Sequence, residues 1–291
     1  YHRFAKGGGA FDISSFMELN LHLGSDPEIV IGLQFSAEDA KNLLEYLYAD
    51  DSTPYGALRK KAGYNSWRGT FEKIYFELAN EPTFCFRGGY CRDLNGECWW
   101  SSMPAGDYGK WSNEIIKGLK SSPYWDSSIM EVGFNQQHMS DYSHSGTYET
   151  EKALPGGGQA DFTTIAMYYP IEEKLQWNEG EEFSDTVPYE EQDARPDSYL
   201  RRAMGFAAFV DDTADYLREI TKEYYGKELN IGSYEWGTGV HDTQDHDVNF
   251  DARVGQAGAV SHLDVAATAR REGFATFNQF EPVGARFSSY I

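Results

Sequence analysis

The run EIVIGLQF at residues 28–35 passes without a break into SAEDAKNLLEYLYADD. The first stretch is β-branched and apolar, the pattern of a strand buried on both faces. The second opens with Ser36 as an N-cap, carries acids in its first turn and then repeats apolar residues at helical spacing. A buried strand that feeds an amphipathic helix commits the chain to parallel pairing, because the helix must return the backbone to the start of the next strand. The unit recurs. Strand patterns follow at KIYFELANEP, SIMEVGFNQ, ADFTTIAMYYP, ELNIGSYEWGTG and FATFNQF, six in all with the first. Helical patterns stand at SSFMELNLHLG, with a Ser cap and a closing Gly24, and at YGKWSNEIIKGLKSS. Two more cover YLRRAMGFAAFVDDTADYLREITKEYYG and ARVGQAGAVSHLDVAATARREG. The stretch STPYGALRKKAGYNSWRGT reads as a loop.

Alternation over this length leaves a doubly wound sheet or a (β/α)8 TIM barrel. No G-x-G-x-x-G turn follows a strand, and KGGGAF near the start has no strand before it, so a phosphate-binding doubly wound sheet has no support. A complete barrel needs eight strands. The expectation is therefore a barrel lacking its first two strands in this chain, which starts at Tyr1 without a signal peptide. Residues 1–291 are expected to form a single domain, N-terminally incomplete, with inserted loops at about 84–105 and 171–197. The second insert, IEEKLQWNEGEEFSDTVPYEEQDARPDS, is a charge run of the kind that lies on solvated surface.

Composition narrows the partners. A formal net charge of −21 argues against nucleic acid and anionic membrane surfaces, and no apolar run approaches the roughly 20 residues of a membrane span. Aromatic residues make up 15% of the chain and crowd segments that read as loops, Trp99, Trp100 and Trp177 among them. Neutral sugars are commonly held by stacking on such rings. Cys85, Cys91 and Cys98 stand together without a histidine at metal-ligand spacing, which points to a disulfide pinning a loop, with the third cysteine free or paired outside this chain. That favours an extracellular, secreted setting. No N-x-[ST] acceptor occurs.

In a parallel barrel, chemistry sits at the C-terminal ends of the strands. Glu81 stands there before Pro82, which disfavours helix at Glu81 and removes a ladder donor. Glu235 closes NIGSYE just before WGTG, where glycines let the backbone turn away. Two carboxylates on two strand ends suit glycosidic bond cleavage, one giving a proton to the leaving oxygen and the other attacking or activating water. A separation of about 5–5.5 Å gives retention through a covalent intermediate. Glu77, four residues before Glu81 on the same strand face, reads instead as a hydrogen-bonded structural acid.

FELANEP resembles the acid/base strand of the clan A glycoside hydrolases, retaining (β/α)8 barrels, and GSYEWGTG is similar to their nucleophile strand. By that resemblance Glu81 is the acid/base on barrel strand four and Glu235 the nucleophile on strand seven. Asn80 would donate to the sugar 2-hydroxyl. IAMYYP matches the sixth strand, with Met167 where the clan often carries a histidine and Tyr169 supplying the hydroxyl that orients the nucleophile. FATFNQF offers Phe277, Asn278 and Gln279 where the eighth strand often supplies a Trp platform, and Trp236 would share the stacking. Asn135, Gln136 and His138 in NQQHM would line the pocket from strand five. Substrate contacts are thus expected at Asn80, Asn135, Trp236 and Gln279. The run from SAEDAKNLLEYL through YGALRKKAG to YFELANEP looks most like the α-L-arabinofuranosidase branch, with agarase-like and xylanase-like relatives open.

The implied function is a retaining glycosidase acting on plant or algal polysaccharide or oligosaccharide, with carbohydrate as its expected substrate partner. It needs no organic cofactor. A structural calcium has one candidate location, the Asp oxygens around His241 and His246 in HDTQDHDVNFD, which otherwise reads as a solvated loop. The alternative is a carbohydrate-binding or structural protein that keeps the barrel without turnover, which Met167 favours.

Overall fold

The structure is a computed structural model, and it describes residues 12–80, 82, 103–138, 160–170, 196–239 and 256–279. Contacts divide the chain into two compact units, Tyr1–Asn135 with Gly146–Phe162, and Gln136–Ser145 with Thr163–Ile291. All six strands foreseen from the pattern are present, and among the described residues a helix follows the first, second, fourth and fifth.

The first unit carries α1 (Ile13–Leu23), β1 (Glu28–Ile31), α2 (Ala37–Tyr48), α3 (Pro54–Lys61), β2 (Ile74–Leu78), α4 (Ala105–Lys120) and β3 (Met130–His138). Its strands pair in parallel, Ile31 opposite Leu78 and Leu78 opposite Phe134. Helix α2 begins as its sequence requires. Ser36 accepts from the Asp39 N–H and Asp39 accepts from the Ser36 N–H, a reciprocal box that satisfies two of the helix's orphan donors.

Three local expectations are corrected. Helix α1 is capped by Asp12, whose carboxylate accepts from the Ser15 N–H at 2.8 Å, and not by a serine. Ser14 is buried and bonds the Tyr46 hydroxyl, so it is unavailable for capping. The stretch after Asp51 holds a helix, α3, because Thr53 caps it and Pro54 occupies the first helical position, where a missing N–H costs nothing. Strand β1 is not buried on both faces. Among the described residues it pairs on one side only, with β2, and Val30 on its open face is 47% exposed.

Sheet and helices meet through the alternate residues Ile74, Phe76 and Leu78, all fully buried, with Phe76 against Trp125. The opposite face presents Tyr75 and Glu77. Tyr75 meets the Phe162 ring edge-on at 5.7 Å. Position 133 must be glycine here, because a Cβ would stand 2.4 Å from that ring. At the lower end of this face Lys73 pairs with Glu131 at 2.7 Å.

The second unit carries β4 (Phe162–Pro170) from Thr163 on, α5 (Pro196–Tyr225), β5 (Asn230–Gly239), α6 (Gln256–Arg271) and β6 (Thr276–Gln279). Its core joins Ile165 and Met167 of β4 to Phe206, Val210, Ala214 and Leu217 of α5 and to Val265 of α6. Strands β5 and β6 are parallel. No described helix is long and apolar enough to cross a membrane. The inserts expected at about 84–105 and 171–197 fall outside the described residues, apart from the start of α4 and of α5.

Candidate active site

Strand β2 does not simply run out. Leu78 is the last extended residue, and Ala79 then adopts φ +65°, the one left-handed non-glycine among the described residues. A Cβ makes that conformation costly, on the order of 1 kcal/mol or more, so the surroundings must impose it. They do so on both sides. The Ala79 N–H still donates to the Ile31 carbonyl of β1 at 2.8 Å. On the other side the Tyr108 hydroxyl, from the first turn of α4, donates to the Leu78 carbonyl at 2.6 Å and accepts from the Asn135 N–H at 2.8 Å. The residue next in sequence, Asn80, is exposed. Glu81 lies outside the described residues.

Below this turn the Glu77 carboxylate is buried, 2% exposed, and accepts from the Asn135 side-chain amide at 2.9 Å. The structural reading of Glu77 therefore stands. Asn135, expected to meet substrate, is itself 1% exposed and holds Glu77. Burial pushes the Tyr108 phenol far above its ordinary range, so its hydroxyl keeps its proton and remains a donor to Leu78.

The other strand end is irregular too. Between Ser233, opposite Phe277, and Trp236, opposite Gln279, β5 advances three residues while β6 advances two. The extra residue is a bulge, and Glu235 lies within it. Bulges re-aim side chains and gather beside active sites. The Ser233 hydroxyl sits 3.0 Å from both the Ile165 and the Glu235 carbonyl oxygens, tying the bulge to β4. The Glu235 side chain is half-buried.

The bulge also fixes where Trp236 goes. Its indole is 4% exposed and stacks on Phe277 at 4.8 Å, with Phe206 at 6.0 Å and the His262 ring edge-on at 5.1 Å. Trp236 and Phe277 thus anchor β5 to α5, α6 and β6 through the core, and a core indole has no face to offer a sugar. Met167, at the position where a histidine was looked for, is fully buried in the same cluster. Tyr169 and Gln279 belong to β4 and β6, but their side chains lie outside what is described, as do Gln136 and His138. Cys85, Cys91, Cys98, Trp99, Trp100, Trp177, His241 and His246 are likewise outside it.

Sequence reasoning did not find Tyr108, Ser233 or the turn at Ala79. A tyrosine in the first turn of a helix carries no mark of a hydroxyl bound for a neighbouring strand. The Tyr234-Glu235 bulge has no glycine at its own position to announce it.

His262 supplies a pH signature for this core. Burial lowers its pKa below the usual 6.5, so the fold favours the neutral ring. Its contribution is present above the unfolded value and is lost as pH falls through the folded one. Thermal unfolding should be steady above neutral pH and its midpoint should drop below about pH 6.5. A His262→Leu variant should lack the first part of that acid limb; an identical limb in both proteins would contradict the assignment.

No family model matches the chain, and no curated protein matches it in sequence. Solved structures do. The family 51 α-L-arabinofuranosidase AbfB from Bifidobacterium longum aligns over 96% of this chain and 52% of its own, with a TM-score of 0.59 and 14% identity. The GH51 arabinofuranosidase from Xanthomonas axonopodis pv. citri aligns over 97% of this chain and 50% of its own, at TM-score 0.56 and 14% identity. A thermostable GH51 α-L-arabinofuranosidase from Thermotoga petrophila gives a TM-score of 0.53 at 16% identity, over 92% of this chain and 46% of that one. The fold is that of a (β/α)8 barrel. The chain spans about half the length of these structures, and of the barrel's strands it carries six among the described residues.

Proposed function

We propose that this chain is a retaining glycosidase, with Glu235 as nucleophile and Glu81 as acid/base. One observation carries the reading: both strand ends that deliver these carboxylates are irregular, a left-handed Ala79 two residues before Glu81 and a bulge at Glu235. Irregular strand ends that persist in a packed sheet are the usual accompaniment of a site. The fold supports the class of reaction, and the names of the structural neighbours favour an α-L-arabinofuranoside as the first substrate to try.

In the first step a Glu235 oxygen attacks the anomeric carbon while the bond to the leaving oxygen breaks and that oxygen takes the proton of Glu81. In the second, Glu81 removes a proton from water, water attacks the same carbon and Glu235 leaves as a carboxylate. Two inversions give net retention. Asn80 donates to the sugar 2-hydroxyl, and the Tyr169 hydroxyl orients Glu235. Gln279 contributes a further polar contact. We read the protein as extracellular, with a disulfide among its three cysteines. Met167 is the observation on the side of a binding protein without turnover, since a buried thioether replaces a polar group near the nucleophile strand.

A panel of aryl glycosides, the α-L-arabinofuranoside first, tests the proposal, with the configuration of the first-formed sugar read by NMR. Hydrolysis with retention is expected. In Glu81→Ala, kcat/KM on a substrate with a poor leaving group should fall roughly 10²- to 10⁴-fold, with a much smaller loss where the leaving phenol needs no proton. Binding without hydrolysis across the panel would favour the non-catalytic reading.

A further inference from the structure

In the β1–β2 ladder Ile31 stands opposite Leu78, and the N–H of the next residue, Ala79, donates directly to the Ile31 carbonyl. The β2–β3 ladder repeats this register, with Leu78 opposite Phe134. In that register the Asn135 N–H and the Leu78 carbonyl face each other, and the Tyr108 hydroxyl bridges them, accepting from the first at 2.8 Å and donating to the second at 2.6 Å. Tyr108 is fully buried and its ring lies against Trp111 at 5.9 Å, whose indole N–H donates to the Phe35 carbonyl beyond β1. The hydroxyl is thus held from behind by packed helix, and it meets the backbone of both strands at the residue before the left-handed turn.

We propose that Tyr108 is a positioning residue: its hydroxyl, bonded to the backbone of both β2 and β3 at their tips, holds the Ala79 turn that leads into Asn80 and Glu81. The inference rests on the glycosidase reading for its catalytic consequence, but not for the bridge itself. Without the hydroxyl the Leu78 carbonyl loses a buried donor next to Ala79, and the turn loses part of the surroundings that impose φ +65°. A misplacement of about 1 Å in a catalytic group costs up to about 100-fold in rate.

The test is Tyr108→Phe, which keeps the ring and removes only the oxygen. The comparison is a substitution at Ile116, buried on the same helix, chosen as Val or Ala to lower the unfolding midpoint equally. Kinetics on the best glycoside of the panel should show kcat down about 10- to 100-fold in Tyr108→Phe, with KM within about twofold. The basic limb of its kcat/KM profile, which reports the acid, should move, while the Ile116 variant keeps the wild-type profile. Amide hydrogen exchange gives the second readout: peptides covering 74–80 and 130–135 should exchange at least about tenfold faster in Tyr108→Phe than in the Ile116 variant. Equal kinetics in the two variants, with equal local exchange, would overturn the proposal. A wild-type protein inactive on every glycoside would remove the glycosidase reading instead, and the exchange comparison alone then decides whether Tyr108 holds the strand tips.

Discussion

Replacing Glu235 by alanine should abolish turnover of the best aryl glycoside, by on the order of 10⁴-fold or more in kcat, while leaving the fold intact. The size follows from the mechanism. Without the carboxylate no covalent intermediate forms, and direct attack by water must do the work of both steps. The half-buried side chain makes a large structural penalty unnecessary. Removing the carboxylate also opens space beside the anomeric carbon, and azide is a small anion able to occupy it. Added azide should therefore restore turnover in Glu235→Ala, giving a glycosyl azide inverted relative to the substrate. In Glu81→Ala the nucleophile is still present, so the azide product should instead retain the substrate's configuration. Rescue with the wrong stereochemistry in either variant would reverse the two roles, and loss without rescue at Glu235 would leave that residue without a demonstrated part in bond making.

The second large effect concerns stability. Arg59 of α3 is fully buried, yet its nearest carboxylate, Asp51 at 3.8 Å, is 57% exposed and pairs with it only loosely. Its guanidinium donates instead to the Tyr46 carbonyl and, at 2.6 Å, to the Ala49 carbonyl, at the end of α2. These are orphan acceptors at the negative end of a helix dipole, and a cation with a planar fork satisfies both. Burial lowers the Arg59 pKa somewhat, with Asp51 opposing the shift, and the group stays charged. Arg59→Met keeps an apolar stem of similar length and strands both carbonyls. At about 1.5–3 kcal/mol per charge-assisted bond, the loss should be about 3–5 kcal/mol. For a chain of this size that is about 10 °C in the unfolding midpoint. Arg59→Lys offers one point charge in place of a fork and should recover less than half. Activity measured well below the midpoint should be unchanged, which separates this effect from those at the strand ends. A shift under about 2 °C would mean that water or relaxation satisfies the carbonyls without the arginine.

Much of this architecture was written in patterns with long reach. The strands recur as short β-rich stretches between helical patterns, and the helix cap at Ser36 is a capping box in the chain itself, so a period and a spacing were enough. What escaped notice depended on single contacts between distant residues. Helix α3 was obscured by glycine and lysines, although Thr53-Pro54 marks its start. Val30 looks like any buried valine, and its exposure is a property of which strands stand beside it. Trp236 illustrates the limit most directly. Next to a catalytic-looking glutamate an indole invites a sugar-stacking role, but the bulge preceding it turns the ring onto Phe277 in the core. A one-residue change of register is invisible to alternation counted along the chain. The Ala79 turn belongs to the same class, since alanine has no preference for that conformation and the Tyr108 bridge that accompanies it lies 29 residues on from Ala79 in sequence.

The most direct test of the central claim is to trap the covalent intermediate. A 2-deoxy-2-fluoro glycosyl substrate, built on the sugar the panel selects, slows both steps by destabilising the oxocarbenium-like transition state, and a good leaving group lets the first step outrun the second. Peptide mapping by mass spectrometry should then find one sugar on the segment NIGSYEWGTG, at Glu235. A sugar on another residue, or steady hydrolysis with no adduct on that segment, would contradict the assignment of Glu235 as the nucleophile.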